Sequence, residues 1–445
     1  MPGPACCLLA AFISSASVVE AAAGVDGEVA AGRAPVQLTG PEENSVTFTL
    51  TPGLGFRLRS VANTLTLAYT PRLFYRVPNQ LNIDRPLLLH QLQLNDTLMT
   101  SRNMAWTSAV GVDVGELDYT AANLVFAPGS SAVRTSVVDI VRVNGETGFT
   151  LDITRRLRWI TNLSAQYTTP LDADQTATAP PVTMEGQDLS NLVGGTVPES
   201  AQVSGRSSLS YAVTRQDRVA ANGDITYQWF PDTGRFLLLA PDVSWEHRLS
   251  RQSTLAFSAG FAYVITLATP DDSDPGDALG GTGSVQFTSE LHRERNVRVS
   301  TSFGAGVDWF FDPIAGTSQP RGAVDASTTI DIGRDWTINP NASFYAVIRG
   351  ASTTVGGATP TGDGMLVPQA AQPITPDATQ VRAEIPFTYR LTDFVAINFG
   401  ARGSLRGRSL TQDDFQLGEQ YEIWAFFGLT LRMTSGDDNA MWLAL

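Results

Sequence analysis

A chain of 445 residues that is 43% apolar, 17% charged and near zero in mean hydropathy is neither a disordered polymer nor a bundle of membrane helices. Its 30 basic residues are all arginine against 44 acids, and a net charge of -14 excludes a nucleic-acid partner, which needs a basic surface to displace phosphate counterions. Both cysteines, Cys6 and Cys7, lie at the N-terminal end, so neither a disulfide nor a thiolate metal site is expected beyond it.

In chain order, residues 1–23 read as a signal peptide, with an apolar run from Cys7 to Val19 followed by the small residues Ala21, Ala22 and Ala23. A short alternating segment, Val25 to Arg33, sets Val25, Gly27, Val29 and Ala31 against Asp26 and Glu28. From Val46 the period is two: Phe48, Leu50, Leu54, Phe56 and Leu58 alternate with Thr49, Thr51, Gly53, Gly55 and Arg57. The pattern returns through Leu65 to Leu73, Val203 to Val213, Leu255 to Ile265, Val297 to Phe311, Val381 to Leu391, Val395 to Leu405 and Tyr421 to Leu431. The expected fold is all-β: a transmembrane antiparallel β-barrel over residues 24–433, with 18 strands as the first count and 16 as the alternative, then a periplasmic tail, 434–445.

Connections alternate in length, as hairpins crossing an asymmetric membrane do. Short turns fall at Ser60–Asn63, Arg155–Arg158, Arg215–Asp217, Ser250–Gln252, Arg293–Arg295, Gly333–Asp335 and Thr392–Asp393. Long connections fall at Tyr119–Ser136, Thr168–Gln202, Ala268–Thr282, Ala351–Thr379 and Gly407–Gly418. The short turns are rich in arginine and the long loops in acids, which assigns the turns to the periplasm and the loops to the exterior of a bacterial outer membrane. Two aromatic belts are expected, with Tyr75, Tyr167, Trp229, Trp309 and Phe344 toward the outer rim and Trp159, Trp245, Trp336 and Tyr389 toward the periplasmic one.

The last strand carries Gly428, Leu431 and Met433, a spacing that resembles the C-terminal assembly signal of outer-membrane proteins. The whole pattern resembles porins and, in strand number and arginine-bearing interior, the barrels that export bacterial polysaccharides. The resemblance implies a conduit for hydrophilic solutes, or an export barrel working with periplasmic partners; a structural or adhesive surface protein is the third reading. Expected partners are outer-membrane lipid, lipopolysaccharide and the outer-membrane assembly machinery. Thr70-Pro71-Arg72-Leu73 and Arg85-Pro86-Leu87-Leu88-Leu89-His90 stand out as motifs without pointing to an activity.

Strand parity places Arg57, Arg72, Arg142, Arg206, Arg298, Arg382 and Arg402 on the lumen wall. The same parity adds Asp113, Asp152, Asp224, Asp242, Asp308, Asp325 and Glu384. A wall of both signs either tunes selectivity or pairs across strands and merely solvates the interior. No catalytic residue is expected: the three histidines, His90, His247 and His292, fall on separate strands, whereas acyl-transfer chemistry needs one beside a nucleophile. The acidic run Asp271–Asp277 lacks the spaced glutamate of a helix-loop-helix calcium site and reads as a solvated loop, so neither a metal nor a cofactor is expected.

Overall fold

A computed structural model describes residues 18–35, 42–77, 85–118, 137–171, 183–184, 187–188, 199–231, 234–268, 277–294, 296–312, 317–347, 359–360, 366–367, 379–407 and 420–434. Between Val18 and Thr434 the described long strands form one antiparallel sheet of 18 strands closed on itself, 183–184 with 187–188 and 359–360 with 366–367 form two separate short pairs, and among the described residues there is no helix. The strands are β1 (Val18–Pro35), β2 (Glu42–Arg59), β3 (Asn63–Tyr69 and Arg72–Val77), β4 (Leu87–Ser101), β5 (Met104–Asp118) and β6 (Val137–Asp152). Then come β7 (Leu157–Pro170), β8 (Ser200–Ala212), β9 (Asp217–Phe230), β10 (Gly234–Arg248), β11 (Ser253–Ala268) and β12 (Ala278–Arg293). The wall finishes with β13 (Val297–Asp312), β14 (Thr317–Ile332), β15 (Trp336–Ile338 and Asn341–Val347), β16 (Thr379–Arg390), β17 (Val395–Gly407) and β18 (Gln420–Thr434). Each strand pairs with its sequence neighbour, and β1 pairs with both β2 and β18, from Ala22↔Thr434 to Arg33↔Ile423. That last ladder removes the free edges, so every strand has partners on both sides.

Proline explains the two interrupted strands. It has no N–H to give to a ladder, and β3 breaks at Thr70-Pro71 while β15 breaks at Asn339-Pro340. The backbone bridges both gaps without losing register: Thr70 N–H donates to the Gln91 carbonyl (2.9 Å) and Asn339 N–H to the Pro386 carbonyl (3.0 Å). The Thr70-Pro71-Arg72-Leu73 motif is therefore a break within one strand. The Arg85-Pro86 motif opens β4, with the Arg85 guanidinium held by Glu116 of β5.

Alternation gives the barrel two chemically distinct faces. Along β2, Phe48, Leu50, Leu54 and Phe56 are 42–55% exposed, whereas Ser45 and Thr47 are 1% and 7% exposed. Along β11, Phe257 and Phe261 are exposed while Ala262 and Val264 are buried. Large apolar side chains exposed on strand after strand form a band around a closed sheet. That is the surface of an outer-membrane barrel, where lipid and not water covers the apolar face. Aromatic pairs reinforce it near the short-turn end: Trp336 tilted against Tyr389 (4.5 Å), Trp245 stacked on Phe257 (5.8 Å) and Phe149 edge-to-face with Trp159 (4.9 Å).

One belt residue lies near the expected end of its strand but packs on the other face. Trp309, expected at the outer rim, is 8% exposed and packs against Ala262 and Val264 on the inward face. The cause is Gly280: a Cβ there would stand 2.0 Å from the Trp309 ring, and its absence opens the seat that the indole occupies. The first strand also reaches further back than the sequence suggests. Val18 to Ala23, assigned above to the leader, are the first six positions of β1, paired with Arg59 to Leu54 of β2.

Candidate functional site: the inner wall

Residues that face inward from neighbouring strands sit opposite one another in register, so the wall's chemistry follows from its ladders. Arg142 faces Asp113 across β5 and β6 and donates to its carboxylate from Nε at 2.8 Å, with both side chains largely buried. Arg206 of β8 faces Asp224 of β9 at 3.5 Å. Arg57 is held by Glu20 of β1, and Arg402 of β17 donates to Glu28 of β1 at 2.9 Å. Near the short-turn end Arg158 binds Asp152 (2.6 Å) and Arg298 binds Glu290 (3.1 Å). Arg321 binds Asp308 at 2.7 Å, while Arg382 and Glu384, two apart on β16, approach to 3.8 Å.

Three of the expected residues stand differently. Asp242 accepts from the Asn222 amide at 2.6 Å, Arg72 lies over the Phe74 ring at 5.8 Å, and the Asp325 carboxylate lies over Gly304. The partners Glu20, Glu28, Arg158, Glu290 and Arg321 were outside the expected set. Parity along one strand finds a charged residue, but its partner is fixed by register between strands.

The closing seam adds a feature that parity alone did not reveal. Trp424 and Phe426 of β18 turn inward, each 8% exposed, against Ala30 of β1, which is fully buried. Gly32 and Gly400 make room: a Cβ at Gly32 would come within 2.8 Å of the Trp424 ring, and one at Gly400 within 2.8 Å of Phe426. Arginines cover both rings, Arg76 over Trp424 at 5.7 Å and Arg402 over Phe426 at 5.5 Å. Each such contact contributes roughly 0.5–2 kcal/mol, the larger figure where the pair is desolvated. One layer below, the Thr388 hydroxyl donates to Asn398, the Asn398 amide to Thr430, and the Thr430 hydroxyl to Asp26, at 2.9, 2.9 and 2.6 Å. This polar chain ties four strands, β16 through β18 and β1, across the seam.

The histidines are engaged separately. His90 shares a 2.7 Å hydrogen bond with the Tyr69 hydroxyl, His247 contacts Asp217 at 2.7 Å and stacks on Trp245, and His292 lies 3.6 Å from Glu294. No group of three or more acid, cysteine or histidine side chains that could hold a metal occurs among the described residues. Most of the acidic run Asp271–Asp277 lies outside them; Asp277 itself accepts from the Tyr263 hydroxyl. Most of the long connections expected to carry the outer loops, and residues 435–445 of the tail, also lie outside the described residues.

Neither a protein-family pattern nor a curated protein matches the sequence. Solved structures resemble the fold at low identity. A structure titled "Copper transporter OprC" is 9% identical, with 94% of this chain covering 80% of that one at a TM-score of 0.46. A BenF-like porin from Pseudomonas fluorescens Pf-5 is 10% identical, with 95% of this chain covering all of that one at a TM-score of 0.45. OpdQ from Pseudomonas aeruginosa is 8% identical, with 94% covering 99% at a TM-score of 0.43.

Proposed function

We propose that the protein is a passive outer-membrane conduit for small hydrophilic solutes, with a lumen that discriminates weakly by charge. A barrel of 18 strands encloses more space than its own side chains fill. The observation that carries the reading is the pairing of inward charges: Arg142 with Asp113, Arg206 with Asp224, Arg402 with Glu28 and Arg298 with Glu290. A wall neutralised pair by pair leaves local dipoles and little net field, which favours polar solutes over apolar ones without strongly selecting a sign. The seam, where Arg76 and Arg402 lie over buried rings, is the place where a solute would meet both a cation and a flat apolar surface. The short turns are read as periplasmic and the long connections as external.

Reversal potentials across a bilayer holding the purified protein test this. Wild type is expected to pass small ions of both signs. Exchanging Arg206 and Arg298 together for Ser removes the cation from Asp224 and leaves Glu290 only the more distant Arg293, and shifts selectivity toward cations, with conductance of the same order. A reversal potential near the limit for one ion in wild type, or a silent protein, would count against the conduit.

A further inference from the structure

The short-turn end of the barrel carries a surface that the lumen does not use. Several of its hairpins repeat one local design. In Ile153-Thr154-Arg155, Val213-Thr214-Arg215 and Leu249-Ser250-Arg251, the middle N–H donates to a carbonyl three residues on, at 3.1, 3.2 and 3.2 Å. The middle hydroxyl accepts from the backbone N–H two residues on, at 3.2, 3.0 and 3.0 Å, which closes the turn from inside. The arginine is then left at the tip. Ile332-Gly333-Arg334 also places an arginine after an apolar residue but closes differently: Gly333, at φ 67°, donates its N–H to the Asn296 carbonyl at 2.6 Å. The preceding apolar residue is exposed each time, Ile153 at 48%, Val213 at 47%, Leu249 at 52% and Ile332 at 43%.

Six tip arginines, Arg102, Arg155, Arg156, Arg215, Arg251 and Arg334, are exposed and have no carboxylate partner among the described residues. The acids nearby are already occupied: Asp152 by Arg158, Asp217 by His247, Glu246 by Arg218 and Glu290 by Arg298. The acids Glu294, Asp331, Asp335 and Asp393 remain, fewer than the six tip arginines. Arg334 also shares a cleft of about 330 Å³ with Arg298, Arg390, Glu294 and Asp331, bordered by Trp336. That volume admits a phosphoglycerol headgroup.

We propose that this rim binds the headgroups of anionic phospholipids in the membrane leaflet at the short-turn end. The tip guanidinium supplies a fork of donors to the phosphate, and the exposed Ile, Val or Leu beside it enters the acyl region. A soluble phosphate could satisfy the guanidinium alone but leaves that apolar row in water, which is why lipid is the favoured occupant. The proposal does not depend on whether the lumen conducts.

The test uses the full chain in vesicles of equimolar phosphatidylglycerol and phosphatidylcholine, with spin-labelled versions of each lipid reporting the immobilised fraction at the protein. Wild type is expected to prefer phosphatidylglycerol by roughly threefold to tenfold at low ionic strength, with the preference collapsing in high salt. Replacing the six tip arginines with Gln should bring the ratio to about one, while replacing them with Lys should keep most of it. Arg235→Gln, at the opposite end of the barrel, should leave the ratio unchanged. If the six-Gln protein fails to assemble, the Lys set and the wild-type salt titration still decide. No preference in wild type, or a preference that survives in the six-Gln protein, overturns the proposal. Loss of the preference to millimolar inorganic phosphate at constant ionic strength also overturns it, because the rim would then be a site for a soluble anion.

Discussion

The two faces of β11 show what alternation can and cannot specify. Outward, Phe257, Phe261 and Tyr263 need only be apolar or amphipathic and meet a solvent, the lipid, that accepts any of them. Inward, Ser258, Gly260 and Ala262 each meet a particular neighbour: the Ser258 hydroxyl lies 2.7 Å from that of Ser284, and Gly260 sits directly against Asp242. The outer face is a statement about composition and the inner face one about register. Substitutions should therefore act by depth and polarity outside, and by partner identity inside.

The sharpest break of that contrast places the same residue on each face. Phe261→Arg puts a guanidinium into the apolar band, at a cost of about 2–4 kcal/mol, and should lower the yield of assembled, heat-modifiable protein. Ser258→Arg, facing inward, should assemble near wild-type levels. Equal failure of both would mean that β11 has no lipid face.

A smaller effect comes from splitting an inner pair. Asp113→Ala removes the carboxylate to which the largely buried Arg142 donates and should destabilise by about 2 kcal/mol. The double variant Asp113→Ala with Arg142→Met should recover part of that loss in a denaturant titration. Additive losses would show that the two side chains do not interact.

Smaller still is the seam. Gly32→Ala introduces a methyl where the Ile423 carbonyl and the Trp424 ring already stand, and should cost on the order of 1–2 kcal/mol. Trp424→Ala in the same background should relieve part of it. Melting temperatures of the two single variants and the double variant measure the coupling.

Much of the fold was legible because the lipid face obeys a period of two that needs no knowledge of neighbours. Phe48 to Phe56 and Leu255 to Ile265 announce their strands unaided, and the count of 18 follows from adding the short segment at Val25. What sequence could not give is everything set by pairing at a distance. Glu28 meets Arg402 only because β1 closes on β18 almost the whole chain away, and no local pattern encodes that register. Trp309 reads as a belt residue because it lies near a strand end, and only Gly280 on the neighbouring strand reveals its inward seat. A glycine inside an alternating run, matched to an aromatic residue on the next strand, is the signal that could have found Trp309, Trp424 and Phe426. The prolines at positions 71 and 340 likewise mark interruptions within strands that alternation reads straight through.

The central claim, that solutes pass along the inward face of this wall, is tested most directly by single-channel recording with one cysteine placed on either face. Ser258→Cys and Phe257→Cys proteins are recorded in planar bilayers before and after a charged, membrane-impermeant thiol reagent is added. The account predicts that both conduct at first, and that the reagent steps down or reshapes the current only when the cysteine replaces Ser258. Channels that are silent, or that respond when the cysteine replaces Phe257 and not Ser258, would contradict it.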